Sequence, residues 1–230
     1  MVISPIAYIH TEFPEKFGVP RQSGLAGSLR GTIVFEPEYR NPDALRGLEG
    51  FSHIWILWEF SANRHGDWQP TVRPPRLGGN ERMGVFATRS PYRPNPLGLS
   101  CLEIESIDID GPDSPVICVR GADLMDGTPI YDIKPYIRYA DCRPDAVCGY
   151  VESLEERNLK VSVPEDLAAG IDDDVLEAIV QTLSLDPRPS YHHDPSREYG
   201  LSFAGYNVRF NVTDDLLTVI SVDLQEMNRK

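Results

Sequence analysis

The sequence predicts a mainly β protein, with an N-terminal antiparallel β-barrel domain followed by a small α+β C-terminal domain. Strand-like segments succeed one another through the first two-thirds of the chain with no intervening crossover helix, which argues against a parallel βαβ sheet. No Gly-x-Gly-x-x-Gly follows the first strand, so a Rossmann-type nucleotide site is not supported. Beyond Asp141 the pattern changes, with dense acidic residues and one segment of helical spacing. These shifts divide the chain into a barrel domain, 1–141, and a C-terminal domain, 142–230.

Alternation and β-branched or aromatic content place strands at Ile6–His10, Ser28–Phe35, His53–Phe60, Met83–Thr88, Leu99–Ile109, Val116–Gly121 and Ile130–Tyr136. A short helix is expected at Pro42–Leu48, with Asn41 as its N-cap and Pro42 at the first helical position. In the second part, Ile171, Val175, Leu176, Ile179, Val180 and Leu183 fall on one face of a helix over Ile171–Leu185. Asp172 to Asp174 in its first turn complement the helix dipole, and Asp186-Pro187-Arg188-Pro189 stops it. Two strands complete the chain, Leu201–Val212 and Leu216–Leu224, joined by a turn at Thr213-Asp214-Asp215.

Composition bounds the function. The 230 residues carry 41% hydrophobic and 25% charged side chains, ordinary values for a globular protein. No apolar run approaches the length of a membrane span, and the N-terminus lacks the basic and apolar regions of a secretory signal. Cys101, Cys118, Cys142 and Cys148 form no CxxC pair, and the adjacent His192 and His193 have no evident co-ligands. No metal site is expected, and a reducing cytoplasm fits best. The net charge of −13 argues against a protein that coats nucleic acid non-specifically. Charge is unevenly placed, however. Six arginines (64, 73, 76, 82, 89 and 93) lie between Ser61 and Ser100 against Asp67 and Glu81, while Val163–Glu177 holds six carboxylates and no Lys or Arg. An acidic protein so built can still show a basic face to an anionic partner.

The segment Gly84–Ser100 is the most distinctive. It interleaves Pro91, Pro94 and Pro96 with Arg89, Arg93 and Asn95. Proline fixes φ and removes a donor, so this loop is stiff and holds its polar side chains in fixed directions. Three other loops mix turn formers with polar groups: Lys16–Leu25, Pro74–Asn80, and Asp126-Gly127-Thr128-Pro129 leading into Tyr131–Tyr136. Loops at one end of a barrel can converge on one cleft.

The segments PRQSGL (20–25), RGLEGFSHIWIL (46–57), RPPRLGGNERMGVFATRSPYRPNPLGLS (73–100), DGTPIYDIKPY (126–136) and DPRP (186–189) with Tyr199-Gly200 resemble the TrmO family. Its members are tRNA methyltransferases that use S-adenosylmethionine on a threonylcarbamoylated adenosine beside the anticodon. The resemblance runs from about Ile6 to Val212 and is weakest over Glu152–Leu185. It implies a β-barrel catalytic domain, a tRNA anticodon stem-loop as partner rather than DNA, and a homodimer with active sites near the subunit interface.

Carried over by motif, the cofactor region comprises Gln22, Ser23, Gly24, Leu25, Arg64, His65, Arg89, Leu102, Asp126, Gly127, Thr128 and Pro129. Arg89 suits the carboxylate of the methionyl tail, and Asp126 its ammonium or the ribose. Gly24 and Gly127 allow close backbone approach. The acceptor nitrogen is attached to a carbonyl, so its lone pair is delocalised, and transfer needs a base and an in-line geometry. Asn95 is the expected positioning group and Asp132 the candidate base. Arg93 or Arg76 suits the threonyl carboxylate and Lys134 a phosphate. Tyr92, Tyr131 and Tyr136 are candidates for stacking on unpaired bases, with Tyr136 better read as packing. Arg188 and Arg197 are the expected RNA contacts of the C-terminal domain. Two other readings fit the same loops: a non-catalytic RNA-binding or regulatory barrel that senses the cofactor, and a hydrolase or transferase acting on another anionic small molecule.

Overall fold

The computed structural model describes residues 2–63, 68–79, 81–154, 158–189 and 194–225. Twelve strands run in chain order: β1 (Ala7–Thr11), β2 (Arg30–Phe35), β3 (His53–Glu59), β4 (Thr71–Val72), β5 (Met83–Gly84), β6 (Leu97–Asp108), β7 (Val116–Arg120), β8 (Thr128–Pro135), β9 (Lys160–Ser162), β10 (Tyr199–Phe203), β11 (Tyr206–Thr213) and β12 (Leu216–Leu224). Three α-helices are present among the described residues: α1 (Arg138–Asp141), α2 (Glu165–Ala168) and α3 (Asp173–Ser184). None is long and apolar enough to cross a membrane.

Six strands close into a barrel in the order β1-β2-β7-β6-β3-β8, every pairing antiparallel, with β8 returning to β1. Closure removes the open edges that a sheet would otherwise expose. Alternation decides which side chains fill it. Along β3, Ile54, Ile56 and Trp58 turn inward, and Ile117 and Val119 do so along β7. Ile9, Ile33, Leu102 and Ile130 complete a core with no accessible surface. Each such side chain contributes about 1.5–3 kcal/mol by leaving water.

Two short elements in this part differ from the sequence expectation. The strand expected over Met83–Thr88 pairs only through Met83 and Gly84, against β4, and then tightens into a 3₁₀ turn at Val85–Ala87. Val85 is buried there, and the Thr88 hydroxyl donates back to its carbonyl at 2.9 Å, which closes the turn. The helix expected over Pro42–Leu48 is a 3₁₀ turn ending at Leu45. Its cap is as expected, with Asn41 Oδ1 accepting the Asp43 N–H at 3.0 Å, but Gly47 at φ 90° takes the chain out of helical geometry.

The second sheet has the order β10-β11-β12-β9, with β9 parallel to β12 and the other pairs antiparallel. Helix α3 packs beside it. Asp172 caps α3 by accepting the Asp174 N–H at 3.0 Å, and Ile179 and Leu183 are buried from its apolar face. The single strand expected over Leu201–Val212 is instead a hairpin, because Ala204 and Gly205 both take positive φ (49° and 79°) and reverse the chain between β10 and β11. Tandem positive φ makes the tight turn whose twist suits a two-residue hairpin.

The core of this sheet is not built from the C-terminal residues alone. Phe13, Ala26 and Leu29, from the segment between β1 and β2, are buried among Leu201, Phe203, Val208 and Phe210. Phe13 meets Phe203 edge-on with centroids 4.9 Å apart, and the Ala204 N–H donates to the Glu12 carbonyl at 3.0 Å. The Lys16–Leu25 loop therefore leaves this core after Phe13 and returns to it at Ala26.

Candidate functional site

A cleft of about 1580 Å³ is bordered by barrel residues and by all four polar loops singled out in the sequence, the fourth through Thr128 alone. Lys16–Gln22 forms one wall, Val72–Arg76 another, and the proline-rich loop contributes Thr88–Arg93. Its barrel side is made by Trp58, Leu97–Leu99 and the segment Asp123–Met125, with Thr128 beyond.

The proline-rich loop is held by its own side chains. Arg93 Nη1 donates to the carbonyls of Thr88 (2.9 Å) and Ser90 (3.3 Å), so the guanidinium stitches the loop while bordering the cleft. Arg89 donates to Gln22 Oε1, which joins this loop to the Lys16–Leu25 loop. Tyr92 borders the cleft and is 62% exposed. Asn95 is exposed, and its carbonyl accepts the Leu97 N–H at 2.8 Å where the loop enters β6.

Behind Arg89 lies a carboxylate that the sequence did not flag. Asp123 borders the cleft, with the Ser100 hydroxyl, the Ser23 backbone N–H and Arg89 near enough to favour its charged form. Burial pushes its carboxyl up to about 6, against the lowering effects of Ser100, its own backbone, Arg89 and Ser23. Its Oδ1 is buried with no hydrogen-bond partner. Ser100 is itself fixed from inside the barrel, since its Oγ accepts the Trp58 Nε1–H at 2.9 Å. Ser23 Oγ accepts the Cys101 N–H at 3.1 Å, and the Gly24 N–H donates to the Gly121 carbonyl at 2.9 Å. Gly121 must be glycine: at φ 72°, a Cβ would stand 3.0 Å from the Gly24 backbone. The Gly121–Asp123 corner and the Gln22–Gly24 loop thus form one bonded unit.

The expected site residues divide by position. Gln22, Arg89, Thr128, Arg76, Tyr92 and Arg93 border the cleft together. Ser23 and Gly24 lie directly behind it through the bonds just described, whereas Leu25 is 53% exposed and borders a neighbouring crevice. Leu102 has no accessible surface and faces the barrel core. Leu99, three residues earlier on β6 and on its outward face, borders the cleft instead. Asp126 and Gly127 stand at the end of β1. The Asp126 carboxylate meets His10 Nδ1 at 3.0 Å and the Thr11 N–H at 3.2 Å, and the Gly127 N–H donates to the Ile9 carbonyl. Pro129 is buried in β8 opposite Tyr8. Asp132 and Lys134 pair with each other at 2.7 Å and do not border the cleft. Tyr131 donates to Glu59, which pushes its hydroxyl up to about 12. Tyr136 packs with Trp55 and His53, with centroids 6.0 and 6.2 Å away. Arg64, His65, His192 and His193 lie outside the described residues.

A small closed barrel whose cleft joins cations, an amide and a buried carboxylate, with no glycine-rich phosphate loop, defines a ligand-binding barrel domain outside the Rossmann class. Residues 8–142 match the family described as tRNA-methyltransferase O N-terminal domain, and residues 157–225 match the TrmO C-terminal domain. The chain belongs to the TrmO family. It is 41% identical over 230 residues to the Escherichia coli protein named tRNA (adenine(37)-N6)-methyltransferase, covering 95% of this chain and 96% of that one. A relative of the same name from Eikenella corrodens is 42% identical over 173 residues, 75% of this chain and 97% of its own. A crystal structure of TrmO from Pseudomonas aeruginosa superposes with a TM-score of 0.79 at 33% identity, covering 97% and 98% of the two chains.

Proposed function

We propose that this protein is an S-adenosylmethionine-dependent tRNA methyltransferase that methylates N6 of adenine 37, the threonylcarbamoylated adenosine beside the anticodon. The observation that carries the reading is the convergence of Gln22, Arg89 and Asp123 at one cleft, in a chain of this family.

The residues present fit the cofactor. A carboxylate oxygen without a partner, close to an arginine and at the wall of an open cleft, matches a ligand end bearing both an ammonium and a carboxylate. Arg89 would take the carboxylate, with Gln22 fixing the guanidinium. Asp123 would take the ammonium, and Ser23, Gly24 and Thr128 would border the remainder. Asp126 is already engaged by His10 and Thr11, so it supports the loop that presents Thr128. S-adenosylmethionine supplies a methyl group made electrophilic by its sulfonium centre.

The chain's own contribution is placement. The acceptor nitrogen is a weak nucleophile, so rate must come from holding it in line with the methyl group in a site sheltered from water. Tyr92 offers an exposed ring on a rigid loop for stacking, Arg76 a cation at the opposite wall, and Asn95 an exposed amide on the same loop as Tyr92. We read the enzyme as a cytoplasmic homodimer. The four free thiols suit a reducing compartment, and exposed Phe86, Leu97 and Leu99 give the mouth of the cleft apolar surface of the kind that subunits cover.

The test is methyl transfer from labelled S-adenosylmethionine to tRNA bearing or lacking the threonylcarbamoyl group. Transfer to the modified tRNA alone supports the full reading. Transfer to neither, despite calorimetric binding of the cofactor, would leave a cofactor-sensing barrel, and no binding at millimolar cofactor would overturn the assignment.

A further inference from the structure

A second cavity, a crevice of about 1040 Å³, opens between the Lys16–Leu25 loop and the C-terminal domain. Its far wall holds the β11–β12 turn, Val212–Asp215, and the pair Arg188–Asp186. Its near wall is shared with the cleft: Lys16, Arg21, Gln22 and Arg76 border both cavities. Three cations therefore stand on the partition between two open cavities, in a protein of net charge −13.

The charges of Lys16 and Arg21 are not cancelled locally. Lys16 Nζ donates to Asn63 Oδ1, a neutral partner. Lys16 and Arg21 form no ion pair with a described residue. Asp186, the carboxylate nearest Arg21, is already held by Arg188 through two bonds, Nε to Oδ1 at 2.8 Å and Nη2 to Oδ2 at 2.9 Å. Arg21 and Arg76 lie close enough to act on one another as like charges, and this together with burial pulls the Arg21 guanidinium down. Like charges are held together most readily where an anion sits between them.

We infer that the Lys16–Arg21–Arg76 partition carries the phosphate backbone of the substrate RNA as it passes from the cleft into the crevice beside the C-terminal domain. The inference rests on the reading of the chain as a tRNA methyltransferase. A nucleotide whose base enters the cleft drags its flanking phosphates over the rim, and these three cations stand on the part of that rim shared with the crevice. The chain as a whole is acidic, at net charge −13, so a polyanion is held where cations are concentrated and disfavoured elsewhere. Arg188 serves differently from the sequence expectation: with its donors on Asp186 and 11% exposed, it braces the far wall.

The probe is a fluorescent anticodon stem-loop RNA, with its affinity for the full-length protein measured over a range of salt. Arg21→Gln and Lys16→Gln each remove one charge from the partition and keep a polar side chain, so both variants are expected to keep the wild-type melting temperature. Each is expected to weaken RNA binding and to lower the slope of log K against log salt by about one, with Arg46→Gln as a charge-removal control that leaves the slope unchanged. Equal slopes in Arg21→Gln, Lys16→Gln and wild type would overturn the partition as backbone path. A wild-type protein that binds cofactor but no stem-loop would overturn the tRNA reading itself, and the partition with it.

Discussion

The indole N–H of Trp58 donates to the hydroxyl of Ser100 at 2.9 Å, and that hydroxyl in turn acts on Asp123 at the cleft, favouring its charged form. A donor inside the barrel core thereby fixes the carboxylate that borders the ligand cavity. The barrel is more than a support for loops: its interior sets the electrostatics of the site.

Asp123→Asn keeps the shape and removes the charge. Cofactor affinity is expected to fall at least tenfold, the scale on which one charge-assisted hydrogen bond is lost. Methylthioadenosine, which lacks the amino-acid tail, should lose little. Calorimetry with both ligands checks this, and equal losses for both would show that Asp123 does not meet the tail.

The pH dependence follows from the same group. With its carboxyl raised to about 6, Asp123 gains a proton as pH falls through that value, so wild-type cofactor affinity should decline below about 6. Binding in the Asn variant should be weaker and flatter. Affinity measured from pH 5 to 8 shows whether the wild-type inflection is there and whether the substitution removes it.

Stability moves in the opposite direction. The folded carboxyl is raised above its unfolded value near 4, so the folded state binds the extra proton between those values. Its favourable contribution is complete below about 4 and lost as pH rises through 6, which costs up to about 3 kcal/mol at neutral pH. The melting temperature of Asp123→Asn relative to wild type should therefore be more favourable at pH 7.5 than at pH 5. A difference independent of pH would mean that the carboxylate is not strained.

Asp132→Asn separates the two carboxylates. Asp132 is paired with Lys134 and stands off the cleft, so methyl transfer at saturating cofactor should stay within about threefold of wild type. Single-turnover rates at saturating cofactor make the comparison. A collapse in Asp132→Asn with intact cofactor binding would return the base to Asp132.

Much of this was legible in the sequence. The strands β1, β2, β3 and β7 follow alternation closely, because one face of each is buried in the barrel. Arg89 and Gln22 were found through their motifs. Asp123 was not, because Gly121-Ala122-Asp123-Leu124 reads as an ordinary turn. Only the fold brings Ser23 to it from one segment and Arg89 and Ser100 from another. The β10–β11 hairpin escaped because Ala204 carries no turn signal of its own. The ion pair of Lys134 with Asp132 depends on their lying two residues apart on one face of β8, a spacing that motif reasoning passes over.

Phe13 lies deep among Leu201, Phe203 and Phe210, only three residues before Lys16, and the loop that follows carries Arg21, Gln22 and Gly24. Truncating it, Phe13→Ala, should cost about 3–5 kcal/mol and slacken the loop's grip on cofactor as well. Thermal melts and cofactor titration read the two effects separately. The loop behaves as a guy-rope pegged in both halves of the molecule, so cutting away the C-terminal sheet would not release an independent catalytic module. It would unmoor the cofactor site, and any relative that exchanges this sheet for another must supply a new anchorage for that aromatic ring.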